Sequence, residues 1–429
     1  MLNFFKIFLR FFLFFIVLSL AGLKNVYAVT NLTYWSSSNP FEIQLAKELT
    51  DEWNKNNPDI QVKMQPLPSS KSSEEVLLAA IVAKTTPDIC SNILPSTISR
   101  LVKAKSVVNL SEFSDFETYM KQRVSEEIFE YFRYSDGNHY QIPWKANPTM
   151  LAWNVKLFKD LGLKPPRTYS EFWKVAKGLT KDTDGDGFID RWAMAPSINI
   201  VWWQRLFDFY TFYTAATSGK TLIKNNKILF NNQGAVQTMQ FFKTGFQNKW
   251  FPKATFIGDP LLSEKVGMHV VGPWAVSDYN KYKKPGFEFD FSPIPVPDNH
   301  KGPVYTYGDP KNMVIFSTCK HKEAAWKFVK FLISEKADFK LLDICSQFPL
   351  RKGIIKAPEY QSIFQKNRHL KTFAQQLEHV AMIDDSPHLV QILDYLSQQY
   401  EACAIYNIIS PEDSIKKIVE YSEKIIKFW

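Results

Sequence analysis

The sequence predicts an α/β fold divided into two lobes, and three observations carry that expectation. Apolar stretches with strand-like alternation recur between amphipathic stretches of helical length, which implies parallel β-α-β units with ligands at the carboxyl ends of the strands. Once an N-terminal leader is set aside, roughly 400 of the 429 residues remain, too many for one ordinary core. Neither an internal repeat nor a low-complexity linker marks a simple boundary, as expected of two lobes that exchange segments.

The elements follow in order. Residues 1–28, "MLNFFKIFLRFFLFFIVLSLAGLKNVYA", read as a secretory signal peptide: Lys6 and Arg10, an apolar run from Phe11 to Leu23, then Val26 and Ala28 at the small-residue positions of a cleavage site. The run is too short to span a bilayer comfortably, and no Cys follows it for lipid attachment. The mature chain is therefore expected from near Val29, outside the cytoplasm and not as a lipoprotein. Its first stretch, "NLTYW", alternates as a strand. Phe41 to Asn56 repeats apolar residues at Leu45, Leu49 and Trp53, as a helix does, and "DIQVKM" alternates again. Glu74 to Lys84 reads as a helix, "PDICSN" as a short buried strand, and Ser96 to Lys105 as another helix. The middle is helix-rich and aromatic. Strands return at "VGMHVVG", "FEFDFSPIPVP" and "NMVIFST", "KHKEAAWKFVKFLIS" is amphipathic, and the last sixty or so residues read as helical.

Composition excludes some functions. Removing the leader, which holds three basic residues and no acidic one, lowers the net charge from +9 to +6. No run of five basic residues occurs, so nucleic acid is a poor partner. Cys90, Cys319, Cys345 and Cys403 match no zinc or redox spacing and stay open between two disulfides and buried thiols. No G-x-S-x-G, H-E-x-x-H or phosphate loop supports an enzyme. A secreted glycan-active enzyme is the alternative from another class.

One motif suggests a metal. In "GLTKDTDGDGFIDRWA", an EF-hand register starting at Asp182 would use Asp182, Asp184, Asp186, the Phe188 carbonyl and Asp190. Position twelve is Ala193, so the bidentate Glu is missing, and "RWAMAPS" reads as a strand. The two readings are a structural calcium loop, completed by a distant carboxylate, and an acidic turn rich in Asp and Gly.

Several stretches, in this order, resemble the family 1 extracellular solute-binding proteins, the carbohydrate-binding group that includes maltose- and glycerol-phosphate-binding proteins. They are "LTYWSSSNPFEIQLAKELTDEWNKNNPDIQVKMQPL", "TPDICSN", "GNHYQIPWKANPTMLAWNVKLFKDLGLKPPRTYSEFW", "VGMHVVGPWAV", "SPIPVP", "CKHKEAAWKFVKFLIS" and "FPLRKG". The resemblance covers nearly the whole mature chain. It implies a type II periplasmic binding fold, a hinged trap with three crossovers near Pro148, Tyr305 and Asn367. The segments are then 29–148 and 305–367 for the first lobe, 149–304 and 368–429 for the second. It further implies a monomeric periplasmic component of an ABC importer, which captures a sugar, oligosaccharide or sugar or polyol phosphate and delivers it to permease subunits. A polyamine or iron binder on the same fold is the alternative ligand class.

Sugars need aromatic plates for their C–H faces and polar groups for their hydroxyls. By the resemblance, Trp274 in Gly-Pro-Trp is a stacking plate, and Trp202 or Trp203 a second. Those two neighbours point about 100° apart on a helix, so one of them belongs to the core. Trp144 and Asn147 fall at the first crossover, where an amide replaces the acid of maltose-binding protein. Ser37, Ser38, Asn39, Ser91 and Asn92 sit in the loops after the first and third strands, with capping as the plain alternative for Asn39. Gly308 and Asp309 begin the return to the first lobe. Arg351 is either an anion clamp or half of a surface ion pair.

Overall fold

The computed structural model describes residues 29–68, 73–224, 226–382 and 386–427; the leader lies outside them. Two mixed α/β sheets organise the chain. The first has the order β2-β1-β3-β12-β4, with β1 Thr30–Ser36, β2 Ile60–Pro66, β3 Ile89–Ile93, β4 Ile142–Lys145 and β12 Lys311–Ile315. β1, β2 and β3 are parallel, as the β-α-β reading requires, whereas β12 runs antiparallel to both β3 and β4. The second has the order β10-β5-β9-β6, with β5 Met150–Asn154, β6 Trp192–Met194, β9 Val266–Val271 and β10 Phe289–Ser292. Only its β6–β9 pair is parallel. Two small sheets complete the set: the hairpin β7 Ile223–Lys224 with β8 Lys227–Ile228, and β11 Thr306–Tyr307 beside β13 Val380–Ala381.

Helix Pro40–Asn56 shows how local signals place these layers. Pro40 occupies the first turn, where its missing N–H costs nothing, and Asn39 caps the Phe41 and Glu42 amides. The helical spacing of Leu45, Leu49 and Trp53 then buries all three against Leu32, Tyr34 and Phe328. Each such side chain stabilises the lobe by about 1.5–3 kcal/mol. Helix Lys322–Leu332 closes the other side of the same core through Ala325, Phe328 and Val329.

The lobes are joined by the segments between β4 and β5, between β11 and β12, and by a third passage. Helix Glu335–Cys345 still packs its Ala337, Leu341 and Cys345 in the first-lobe core, while Phe348, Ile354 and Phe364 pack with Met150 and Val276 of the second. The third passage therefore runs through residues 346–352. Asn367, expected to mark it, instead joins helices Pro358–Lys366 and Arg368–Gln376, whose buried faces share one core. Its Oδ1 caps the second of them. The paired strands β11 and β13 tie two passages together: a Cβ on Gly308 would lie 2.1 Å from Val380, so only glycine lets them approach this closely.

All four cysteines are buried and free, which resolves the open choice against disulfides. Among the described residues no helix is long and apolar enough to cross a membrane.

Candidate ligand cleft

The second lobe presents its site at the carboxyl ends of β6 and β9. β9 ends at Val271, and the Gly272-Pro273-Trp274 turn starts helix Trp274–Tyr282. A Cβ on Gly272 would lie 2.1 Å from the Trp274 ring. Glycine there lets the indole fold back over the strand end. Trp274 is partly exposed, and its inner edge packs on the cluster containing Val271 and Val276. Phe207 meets it edge-on, with centroids 5.9 Å apart, and Tyr307 meets Phe207 at 5.7 Å. Phe207 and Asp208 lie in a five-residue π-helical turn, Leu206–Tyr210, a distortion that often marks functional sites. Beside them opens a cavity of about 460 Å³, walled by Phe207, Asp208, Asn199, Thr255, Asp259 and His269 among others.

Of the adjacent tryptophans, Trp202 is buried in the second-lobe core and Trp203 is 37% exposed. They stand in the turn before the helix rather than inside it.

The first-lobe candidates are largely consumed by local bonds. Asn39 caps its helix and donates its own amide N–H to Ser37 Oγ at 3.0 Å. The Ser91 hydroxyl is buried 2.9 Å from the Tyr34 hydroxyl. Asn92 is partly exposed in a left-handed conformation, and Ser38 is exposed. Two hydroxyls that the sequence reading passed over are better placed. Ser96 and Thr97, in the first turn of helix Pro95–Lys103, are buried with no hydrogen-bond partner for either oxygen. They follow β3 directly, and neighbouring Leu94 packs into the second-lobe core, so this turn lies where the lobes meet. The rule placing ligands at strand carboxyl ends would have found them had the third loop been extended from Asn92 to Thr97.

The crossover candidates prove structural. Asn147 is fully buried, donating to Gln347 Oε1 at 3.1 Å and accepting the Phe348 amide at 3.0 Å. Both ends of its side-chain amide are spent on fastening one passage to another. Trp144 is buried in the first-lobe core, with the Lys145 ammonium 4.3 Å from its ring centroid. Lys145 in turn pairs with Glu42 at 2.7 Å, and burial pushes its ammonium below the usual range despite that partner. Asp309 accepts from Tyr307 and from Lys311, at 3.0 and 2.5 Å, and Gly308 donates its N–H to Ala381. Arg351 bonds to Asp338 at 2.8 Å, an acid that is buried rather than on the surface and that also takes Arg123. The ion-pair alternative is the one the structure displays, with Arg351 Nε on Asp338 and Nη2 on the Ile333 carbonyl.

Burial raises the Asp208 carboxyl to about 6, against the opposing pull of Arg205. Burial likewise raises Glu74, which Lys311 moderates. Shifts of this kind mark sites where charge is held at a cost.

The aspartate loop keeps part of its expected geometry. Asp182, Asp184 and Asp190 each bring a carboxylate oxygen within 4.8 Å of the others. Asp186 does not join them; its Oδ1 accepts the Phe188 amide at 2.8 Å, and the Phe188 side chain is 74% exposed. Gly185 and Gly187 N–H groups hold the Asp182 carboxyl below its ordinary range. Three converging carboxylates fit a cation, and the strand at Trp192–Met194 replaces an EF-hand's second helix.

Comparison with known proteins agrees with this architecture. The profile of the bacterial extracellular solute-binding proteins matches residues 40–338. The chain is 23% identical over 364 residues to a maltotriose-binding protein of Pyrococcus abyssi, covering 83% of this chain and 73% of that one. It is 25% identical over 336 residues to a multiple sugar-binding protein of Streptococcus mutans, covering 75% and 76%. Among solved structures, the maltose/maltodextrin-binding domain from Bdellovibrio bacteriovorus bound to maltotriose superposes with a TM-score of 0.73 at 21% identity, covering 93% of this chain and 100% of that one. The chain belongs to the bacterial extracellular solute-binding proteins, a family that binds solutes rather than transforming them.

Proposed function

We propose, from that membership, that this protein captures a carbohydrate between its lobes and delivers it to the permease of an ABC importer. The observation that carries the reading is the second-lobe wall, where Trp274 and Phe207 stand at the strand ends beside a cavity with a polar rim. Aromatic faces meet sugar C–H faces, and carboxylates and amides accept and donate to hydroxyls. The relatives' names point the same way, as binders of maltotriose and of multiple sugars.

Capture works by closure. Groups from both lobes reach the ligand together only when the lobes meet, so binding energy shifts an equilibrium between open and closed forms. The first lobe would contribute Ser96, Thr97, Ser38 and Asn92, and the second Trp274, Phe207, Trp203 and the cavity. The leader and the family together support a periplasmic monomer released from its signal peptide. Calcium at Asp182, Asp184 and Asp190 would clip a surface loop, remote in role from the ligand.

A thermal-shift screen of the mature protein against neutral sugars, sugar phosphates, polyols and polyamines tests the reading, with calcium and with chelator. A sugar-dependent rise in Tm is the expected result. A rise with polyamines alone, or none with any sugar, would overturn it.

A further inference from the structure

The cavity beside the aromatic plates holds an imidazole whose two nitrogens have different surroundings. His269 stands on β9 and lines the cavity with Asn199, Gln204 and Thr255. Its Nδ1 is sealed from solvent, 3.3 Å from Asp259 Oδ2. Its Nε2 has no hydrogen-bond partner among the described residues and stays open to solvent, on a side chain that is 25% exposed. The two carboxylates of the same wall are spent. Asp208 faces Arg205 Nη2 at 2.9 Å. Asp259 Oδ1 accepts the Leu261 and Leu262 amides at 2.8 and 3.0 Å, and Oδ2 accepts the Tyr279 hydroxyl at 3.1 Å. Burial pushes the Asp259 carboxyl up, but His269, the Leu262 amide and the Tyr279 hydroxyl outweigh it and hold the group below its ordinary range.

A carboxylate against Nδ1 settles where the neutral ring keeps its proton. A lone pair on Nδ1 would point at that negative charge, whereas an N–H is attracted to it. The proton therefore sits on Nδ1, and Nε2 presents a lone pair to the cavity. We propose that His269 is a specificity-determining residue of the cleft: its Nε2 accepts a hydrogen bond from one hydroxyl of the captured sugar, and Asp259 is the positioning residue that fixes the tautomer. The inference rests on the carbohydrate reading above and deepens it, because it requires a donor at one place on the ligand. A sugar lacking that hydroxyl leaves the imidazole lone pair unpaired in the closed site, which is what makes such a contact selective. Phe207, which lines the cavity and touches Trp274, joins the imidazole to the aromatic plates.

Nitrogen NMR of the histidine rings and calorimetry test this on the mature protein at about pH 8, above the ordinary histidine pKa of about 6.5. The His269 signals are assigned by their absence in His269→Phe or His269→Gln. In the wild type Nδ1 should carry the proton and Nε2 should be bare, and the sugar giving the largest thermal shift should move the Nε2 signal. In Asp259→Asn the new side-chain amide can donate to Nδ1, so the proton should pass to Nε2 and the sugar should bind at least tenfold more weakly. One monodeoxy analogue of the sugar should bind the wild type at least tenfold more weakly than the parent does, yet bind His269→Phe within twofold of the parent. A protonated Nε2 in the wild type, an Nε2 signal unmoved by bound sugar, or an undiminished deoxy penalty in folded His269→Phe would overturn the assignment. Should Asp259→Asn or His269→Phe fail to fold, the wild-type tautomer and its response to the sugar decide alone. If no sugar binds, the carbohydrate reading falls and this contact with it; if sugars bind and Nε2 stays unmoved, only the contact falls.

Discussion

The two walls of the cleft solve different problems. On the first-lobe side, Ser37, Asn39, Ser91 and Asn147 close their hydrogen bonds within the protein, and the cations Lys145, Lys311, Arg123 and Arg351 each face an acid. On the second-lobe side, Trp274 and Phe207 keep part of their ring surface exposed, while Asp208 faces Arg205. The first wall is mostly hinge and scaffold, with Ser96 and Thr97 as its open groups, while the second carries the recognition chemistry. A group already saturated by its own chain gains little from a ligand; one buried without a partner gains the most.

The comparison breaks first at the scaffold. Asp338→Asn leaves Arg123 and Arg351 without their shared buried acid, so unfolding in urea should show a loss of about 3–5 kcal/mol. Ligand affinity per folded molecule should hold; a selective loss of affinity would make the scaffold part of the site.

A second test measures pH. The folded-state pKa of Asp208 is raised from 3.8 to about 6, so the folded protein holds this proton more tightly than the unfolded chain. The group's contribution to stability is full below pH 4 or so and is lost as pH rises toward 6, by roughly 3 kcal/mol. Denaturation at a series of pH values should show that falling component in the wild type and not in Asp208→Asn. An identical slope in both would remove the charge from the second wall.

On the ligand side, Trp274→Ala should weaken sugar binding by about 1–3 kcal/mol in calorimetry, because it removes a stacking plate. Gly272→Ala should reproduce part of that loss by pushing the indole off the strand end. Unchanged affinity in folded Trp274→Ala would return the residue to a packing role. Smaller still, Ser96→Ala and Thr97→Ala should each cost about 0.5–1.5 kcal/mol of affinity if their hydroxyls meet the ligand. A gain in stability with no change in binding would mark them as first-lobe core.

Much was legible in the chain. Periodicity placed helix Pro40–Asn56, β3, β9 and helix Lys322–Leu332 within a residue or two, because repeats of two and of 3.6 are set by backbone geometry. The Gly-Pro-Trp turn singled out Trp274 as a candidate plate through resemblance, and the steric reason for its glycine became visible only in three dimensions. Of the Trp202 and Trp203 pair, angular spacing said that one belongs to the core, and packing chose Trp202. Asn147 and Arg351 looked available because a sequence does not show that Gln347, Phe348 and Asp338 arrive beside them from distant positions.

By itself, the sequence determined the alternation of strands and helices, the helix caps, the missing twelfth ligand of the aspartate loop and the family. These depend on neighbours a few residues apart or on motifs in order. The tertiary structure alone decided which polar groups remain unsatisfied, that the third passage lies at residues 346–352, that the cysteines stay free, and that Phe207 and Asp208 reach the cleft through a π-helical turn. Each of those depends on which surfaces meet after folding, and burial and hydrogen-bond saturation are properties of the packed chain.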